Sequence, residues 1–307
     1  MKIGILVPQG WIGEYDGWEP RDAWRRSTEI ARQADRLGFE SIWLFDHFHT
    51  FHGSRDEITF ESFTALSALT ALTTRVRLGH VVICTGFRNP ALVAKMISTM
   101  DTISGGRMEL GIGAGWKEDE WRAYGYGFPS TKERLARLAD DLGVIEAMLA
   151  GDEHEHATFE GRHSHVRGAV NVPKPIQRPR VPVMVGGNGP NVTWRLAVRH
   201  ADELNLDGMT PDETARALPV IRSRCEEIGR DPASLRVSVF VWSSAISRTG
   251  AERIDLLSSY QDVGIDRVMG EELASPRSDE ALEALAEDVR AAGLEMAPSL
   301  TAGATTG

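Results

Sequence analysis

At 307 residues, 42% of them hydrophobic, the chain can bury a large core and fits one large α/β domain or two smaller ones. A formal net charge of −10 argues against general nucleic-acid binding and against an anionic membrane surface, because no basic stripe is present to hold either. Met1 runs straight into "KIGILVP" with no leader-like segment, no run of about 18 apolar residues occurs, and the cysteines, Cys84 and Cys225, form no CxxC pair, so a cytoplasmic protein with buried, reduced thiols is expected.

Short apolar strands alternate with amphipathic helices along the chain. "KIGILV" (2–7) precedes a helix expected over 20–37, where Trp24, Ala31, Ala34 and Leu37 recur at helical spacing. "SIWLF" (41–45) precedes 62–73, and "RVRLGHVVI" (75–83) precedes 90–103, with Asn89 and Pro90 as cap and first residue. "MELGIG" (108–113) leads to 131–149, whose stripe Leu135, Leu138, Leu142, Ile145 and Leu149 is the cleanest in the chain. "VPVMVG" (181–186) precedes 190–200, and "ADELNL" (201–206) precedes a helix ending near 229 that either starts near Pro219 or is kinked there. "RVSVFVW" (236–242) and "DRVMG" (266–270) precede helices over 249–262 and 279–292. The stretches 114–130 and 150–180 lack periodicity and are too long for simple connectors, so a lid or an inserted hairpin is expected there.

Eight βα units whose strands are continuous apolar runs imply a parallel sheet covered by helices. The fold class is α/β, and the expected closure is a (β/α)8 TIM barrel with insertions after strand 4 and before strand 5. The expected organisation is a single barrel domain over 1–298 with a disordered tail over 299–307. A doubly wound sheet is the alternative, but its glycine fingerprint should follow the first strand, where "PQGWIGEYDG" has no GxGxxG.

In such barrels the C-terminal strand ends carry chemistry. They offer Asp46, His47, His49 and His52 after strand two; Cys84, Thr85 and Gly86 after strand three; and Gly113, Gly115 and Trp116 after strand four. Strand five gives Gly186, Gly187, Asn188, Gly189 and Pro190, strand six Asn205 and Asp207, and strand seven Trp242 and Ser243. A metal site needs His and carboxylate ligands converging from several strands, whereas these histidines share one loop, so no metal is expected. His49 and His52 read as solvated loop residues, and so does the second histidine group, 154, 156, 163 and 165. The "GGNGP" turn, expected to open a helix at Pro190, could seat a phosphate through its backbone N–H groups, or be a plain tight turn. The small residues at 85–86, 111–115 and 186–187 could leave room for a flat, extended molecule walled by Phe51, Trp116 and Trp242, or merely relieve crowding between strands.

The segments "FDHF", "ITFESFTALSALTALTTRVRLG", "FRNPALVAKMISTMDTISGGRMELGIGAGW", "AYGYGFPS", "TFEGR" and "VPVMVGGNGPNVTWRLAVRHADELN" resemble the bacterial luciferase-like monooxygenase superfamily, and within it the F420-dependent oxidoreductases. The resemblance covers most of residues 1–210 and is architectural beyond. It implies a dimeric barrel that holds a reduced flavin or deazaflavin, with Asp46 and His47 lining the cofactor ring and His47 beside the hydride-carrying carbon. It also implies a strand-three bulge near Cys84–Gly86, where a non-proline cis peptide is common, and a phosphate at "GGNGP". Sugar-phosphate-oxidising members carry an acidic residue in place of Trp116 and a tryptophan in place of Phe51, so their catalytic assignment does not transfer. FMN-using members carry an arginine where this chain has Ala114, which favours F420 over FMN.

The expected activity is therefore F420-dependent hydride transfer to or from a small organic substrate. The alternatives are an FMNH2-dependent monooxygenase fed by a separate reductase, and a non-catalytic cofactor binder. A deazaflavin passes a hydride, leaving the protein to orient substrate and manage one proton. An imidazole with an ordinary pKa of about 6.5 suits that task, though His47 could equally hold the ring edge by hydrogen bonding.

Overall fold

The computed structural model describes residues 1–299, so the expected disordered tail over 299–307 lies, Ser299 excepted, outside the described residues. The chain runs β1 (Lys2–Leu6), α1 (Pro20–Leu37), β2 (Ser41–Leu44), α2 (Ser62–Leu72), β3 (Arg77–His80), β4 (Ile83–Cys84), α3 (Pro90–Ser104) and β5 (Leu110–Gly113). There follow α4 (Glu118–Ala123), α5 (Thr131–Leu149), β6 (Ala157–Glu160), β7 (His165–Ala169), β8 (Val183–Gly186), α6 (Thr193–His200) and β9 (Glu203–Asp207). The remainder is α7 (Pro211–Glu226), β10 (Arg236–Phe240), α8 (Ser243–Ile246), α9 (Ala251–Val263), β11 (Arg267–Gly270) and α10 (Glu280–Ala291).

Local chemistry fixes the boundaries. Pro20 opens α1, and Gly38 ends it in the left-handed region at φ 93°, where a Cβ would lie 2.0 Å from the Ala297 carbonyl oxygen. Asn89 caps α3 by accepting from the Ala91 and Leu92 amides, as the Asn-Pro pair predicts. Ser130 and Glu133 close a capping box on α5.

The large sheet has the order β3-β2-β1-β11-β10-β9-β8-β5-β4, and its two ends, β3 and β4, are separated in the chain only by Val81 and Val82. That is the strand order of a (β/α)8 barrel whose third strand is interrupted. The expected strand over 75–83 is split into β3 and β4 at Val81–Val82, whose peptide is cis, and the Val82 side chain packs where Cβ atoms on Gly113 and Gly186 would sit.

The chain divides into two compact units. The first comprises Met1–Gly79, Leu206–Leu218 and the chain from Arg236 on; β1 pairs in parallel with β2 and β11, and β10 with β11. Its core is built from Ile3, Ile5, Ile42, Trp43, Val239, Val268 and Leu285. The second comprises His80–Asn205 and Pro219–Leu235; β5 pairs in parallel with β4 and β8, and β8 with β9. Its core holds Ile97, Leu110, Ile112, Leu138, Leu142, Val183 and Val198.

The insertion after β5 contains the short helix α4, and the one before β8 is the antiparallel hairpin β6–β7. The hairpin is anchored by Phe159, whose ring fills the space beside Gly143 of α5. One expectation is corrected: α6 starts at Thr193, with Pro190 in the preceding turn. Of the two alternatives for the next helix, a start near Pro219 is ruled out, since α7 starts at Pro211 and contains Pro219.

Candidate functional site

In the first unit, the residues after β2 are held by the loop after β1. Asp46 is buried and accepts from Ser62 Oγ at 2.8 Å. Half-buried His47 lies flat on the Trp11 indole, with ring centroids 4.1 Å apart and planes within 5°. Trp11 also packs on Phe45 at 4.4 Å and Phe51 at 5.3 Å, and its backbone oxygen accepts the Phe51 amide at 2.6 Å. From Phe45 the aromatic contacts continue to Phe240 at 5.6 Å and on to Trp242 at 5.5 Å. One chain of rings thus joins the ends of β1, β2 and β10, and it brings His47, Phe51 and Trp242 into a single cluster. Phe51 and Trp242 stay 37% and 47% exposed, which leaves apolar ring surface for a planar ligand to cover.

The loop after β1 is set by Glu14. Its Oε1 accepts the Gln9 and Gly10 amides, both at 3.1 Å, and its Oε2 accepts the Ile12 amide at 2.7 Å. Gln9 in turn bridges the Phe45 amide and the Phe60 carbonyl. Gly10 is required: φ is 101° and a Cβ would meet the Ile58 oxygen at 1.8 Å. The histidines of the next loop separate differently from the sequence expectation. His52 is exposed, but His49 is buried with its Nδ1 3.0 Å from the Thr50 oxygen, because the loop turns it inward.

In the second unit, Thr85 is buried, its amide bonded to the Gly113 oxygen at 3.0 Å and its hydroxyl donating to Asp141 of α5. Ser164 of the hairpin donates to the other oxygen of the same carboxylate. Burial pushes the Asp141 carboxyl above the usual range, and the Ser164 and Thr85 hydroxyls pull against that. An open cavity of about 310 Å³ lies beside this group, lined by Arg88, Tyr126, Arg137 and His163 among others.

The small residues here are matched mainly to protein. A Cβ on Gly86 would meet the Trp121 ring at 1.8 Å, and one on Gly115 would meet Cys84 Sγ at 2.4 Å. Val82 occupies the equivalent space at Gly113 and Gly186. Cys84 is a buried thiol. In the "GGNGP" turn, Gly187 has φ 132°; it donates to the Asn205 oxygen and accepts from the Trp194 indole, while the Gly189 oxygen accepts the Trp194 amide. Gly186, Gly187, Asn188 and Gly189 thus form a turn pinned to β9 and α6, and Trp116 stands 57% exposed. Among the described residues no group of three or more His, Cys, Asp or Glu side chains is placed to hold a metal ion, and no helix is long and apolar enough to cross a membrane.

Sequence reasoning passed over Trp11, Glu14 and Asp141. Trp11 sits in a stretch read only for the absence of a dinucleotide fingerprint. Asp141 was detectable as a carboxylate beside Leu138, Leu142 and Ile145 on the apolar face of α5.

Against known proteins, the luciferase-like monooxygenase family profile matches residues 1–298. An F420-dependent glucose-6-phosphate dehydrogenase of Kineococcus radiotolerans is 34% identical over 206 residues, covering 66% of this chain and 59% of the relative. One from Gordonia bronchialis is 30% identical over 226 residues, covering 72% and 64%. In both, the match spans less than two thirds of the relative's own length. Among solved structures, an F420-dependent secondary alcohol dehydrogenase with an F420-acetone adduct superposes with a TM-score of 0.79 at 20% identity, covering 95% of this chain and 98% of that one. The coenzyme F420-dependent tetrahydromethanopterin reductase of Methanopyrus kandleri gives 0.73 at 18%, covering 95% and 98%. These likenesses establish the barrel fold.

Proposed function

Given that the chain belongs to the luciferase-like monooxygenase family, we propose that it is an F420-dependent oxidoreductase that moves a hydride between the deazaflavin and a small organic substrate. The observation that carries this reading is His47, half-buried, clamped face-on by Trp11 and next in the chain to buried Asp46. The relatives named for F420-dependent dehydrogenation support it.

The chain's groups fit a planar cofactor. The exposed Phe51 and Trp242 rings of the first unit offer apolar surface for a planar ring system to cover. When bound, the deazaflavin supplies the carbon that gains or loses the hydride. His47 holds or moves the accompanying proton, with its ring plane fixed by Trp11 so that orientation is settled before substrate arrives. Asp46, bonded to Ser62, is fixed on the same strand end. The barrel is read as one domain over 1–298, a homodimer in the cytoplasm, with a small molecule as its substrate. FMN with a separate reductase is the competing cofactor.

His47→Asn separates a proton role from ring support. We expect F420 affinity within a few-fold of wild type and turnover lower by about 10²- to 10⁴-fold, the usual contribution of a positioned acid–base group. Turnover retained in this variant would remove His47 from the chemistry.

A further inference from the structure

The ends of β1 and β11 place a second carboxyl against Glu14. Register pairs Ile5 with Gly270, so the loop after β1 and the segment after β11 leave neighbouring strands. Glu271, the first residue past β11, is 1% exposed, and after its own burial the Glu14 carboxyl is the main influence raising its pKa. Glu271 Oε1 is buried and has no hydrogen-bond partner.

Donor counting decides which of the two carries the charge. Glu14 accepts three backbone N–H groups, two on Oε1 and one on Oε2, and a carboxylate has about four acceptor sites. A fourth donor completes its shell, and only a protonated Glu271 can supply one from that position. Two ionised carboxylates in contact within a buried site repel each other strongly, so one of such a pair keeps its proton.

The other charged and titratable groups around the pair do not change this assignment. Arg26 of α1 is committed to the Ser275 carbonyl and Asp279, and Arg253 to Glu272 at 2.7 Å and Asp288 at 2.8 Å. Arg277 donates to the backbone oxygen of Glu14 at 3.3 Å, not to either carboxyl. Tyr15, raised mainly by its own burial, is a neutral phenol bonded to Ser27 at 2.8 Å. Burial first, and then Glu14, hold the Glu271 carboxyl well above the usual carboxylate range.

We propose that Glu271 is a positioning residue for His47: as a neutral carboxylic acid it hydrogen-bonds the Glu14 carboxylate, which holds the loop that lays Trp11 on the imidazole. Glu271 touches neither substrate nor cofactor in this role. It acts through three links, Glu271 to Glu14, Glu14 to the amides of residues 9, 10 and 12, and Trp11 to His47. The significance of the Trp11–His47 stack for turnover rests on the function proposed above; the mechanical linkage does not.

The test uses the full chain without cofactor. Stacking on an indole shifts the His47 ring-proton resonances upfield, and a H47Q spectrum assigns them. Wild type and E271Q, whose amide still donates to Glu14, should share that shift, whereas E271L should lose it. Turnover should follow, near wild type in E271Q and lower by on the order of tenfold to a hundredfold in E271L, as expected for a misplaced group. An unchanged ring shift in E271L, or its loss in E271Q, overturns the proposal. Should E271L fail to fold, infrared spectroscopy decides: wild type at neutral pH should show a protonated-carboxyl band that E271Q lacks, and its absence from wild type overturns the proposal. If the ring shift responds as expected while turnover does not depend on His47, the linkage stands and the function proposed above fails.

Discussion

Trp11 is the residue whose removal tests the site's construction most sharply. It is 3% exposed, contacts three rings, and its indole nitrogen has no hydrogen-bond partner. Trp11→Ala removes all of that contact and leaves a cavity, a change that typically costs about 3–5 kcal/mol. Trp11→Phe keeps an aromatic ring over His47 and Phe45 and removes the buried, unbonded N–H, whose burial costs about 1–3 kcal/mol. The lost ring area and the relieved N–H nearly offset, so Trp11→Phe should fall within about 1 kcal/mol of wild type. Urea unfolding of the three proteins at matched m-values measures both differences. A Trp11→Phe loss as large as that of Trp11→Ala would show that the indole nitrogen has a partner and that stacking is not what holds the ring. A Trp11→Ala loss below about 1 kcal/mol would show that the loop does not depend on this packing.

Three further outcomes follow from the same geometry. Gly208→Ala should displace Trp242, since φ is 63° and the new Cβ would lie 2.0 Å from the Trp242 indole nitrogen; tryptophan fluorescence and weakened cofactor binding would report it, and an unchanged spectrum would contradict it. Thr85→Val and Ser164→Ala should each cost about 1–3 kcal/mol, the range for a hydrogen bond to a charged or buried group, because both hydroxyls serve the Asp141 carboxylate. Their double mutant should be non-additive, since they share that partner. Glu271 sets a pH dependence: a folded pKa raised above the unfolded one favours folding at low pH, and this contribution is lost as pH rises from the ordinary carboxyl range toward the folded pKa. In that window wild type should lose up to about 1.4 kcal/mol per pH unit relative to E271Q, and parallel stability curves for the two would contradict it.

The sequence made the scaffold legible wherever one local signal decided the outcome. The apolar stripe of α5 gives its span, and Asn89-Pro90 starts α3 at the expected residue. The third strand was legible as an apolar run, with the resemblance implying a bulge near Cys84–Gly86, but nothing in "GHVVIC" places the interruption at Val81–Val82 or signals a side chain inserting beside Gly113 and Gly186. Pro190 misled for a related reason: proline suits a first helical turn equally well as the turn before it, and Trp194, bonded to Gly187 and Gly189, settles the choice only in three dimensions.

At the site, Asp46 and His47 were visible as polar residues closing an apolar strand. What holds them was not, because Trp11 and Glu14 lie on the loop after a different strand and are recognised only through the contacts they make. His49 shows the same limit: a histidine in a polar stretch reads as solvated until the loop is seen to fold it inward. Glycines were visible, but whether the space they leave is open or filled depends on partners such as Trp121 and Val82 that come from other elements.

The central claim is the identity of the cofactor, and titrating the purified chain with F420 and, separately, with FMN while following cofactor fluorescence tests it most directly. The account predicts saturable binding of F420 at micromolar or lower concentration, abolished or weakened in Trp11→Ala, with FMN binding much more weakly. Micromolar FMN binding with no F420 binding would contradict it and move the chain to the flavin-dependent monooxygenases of its family.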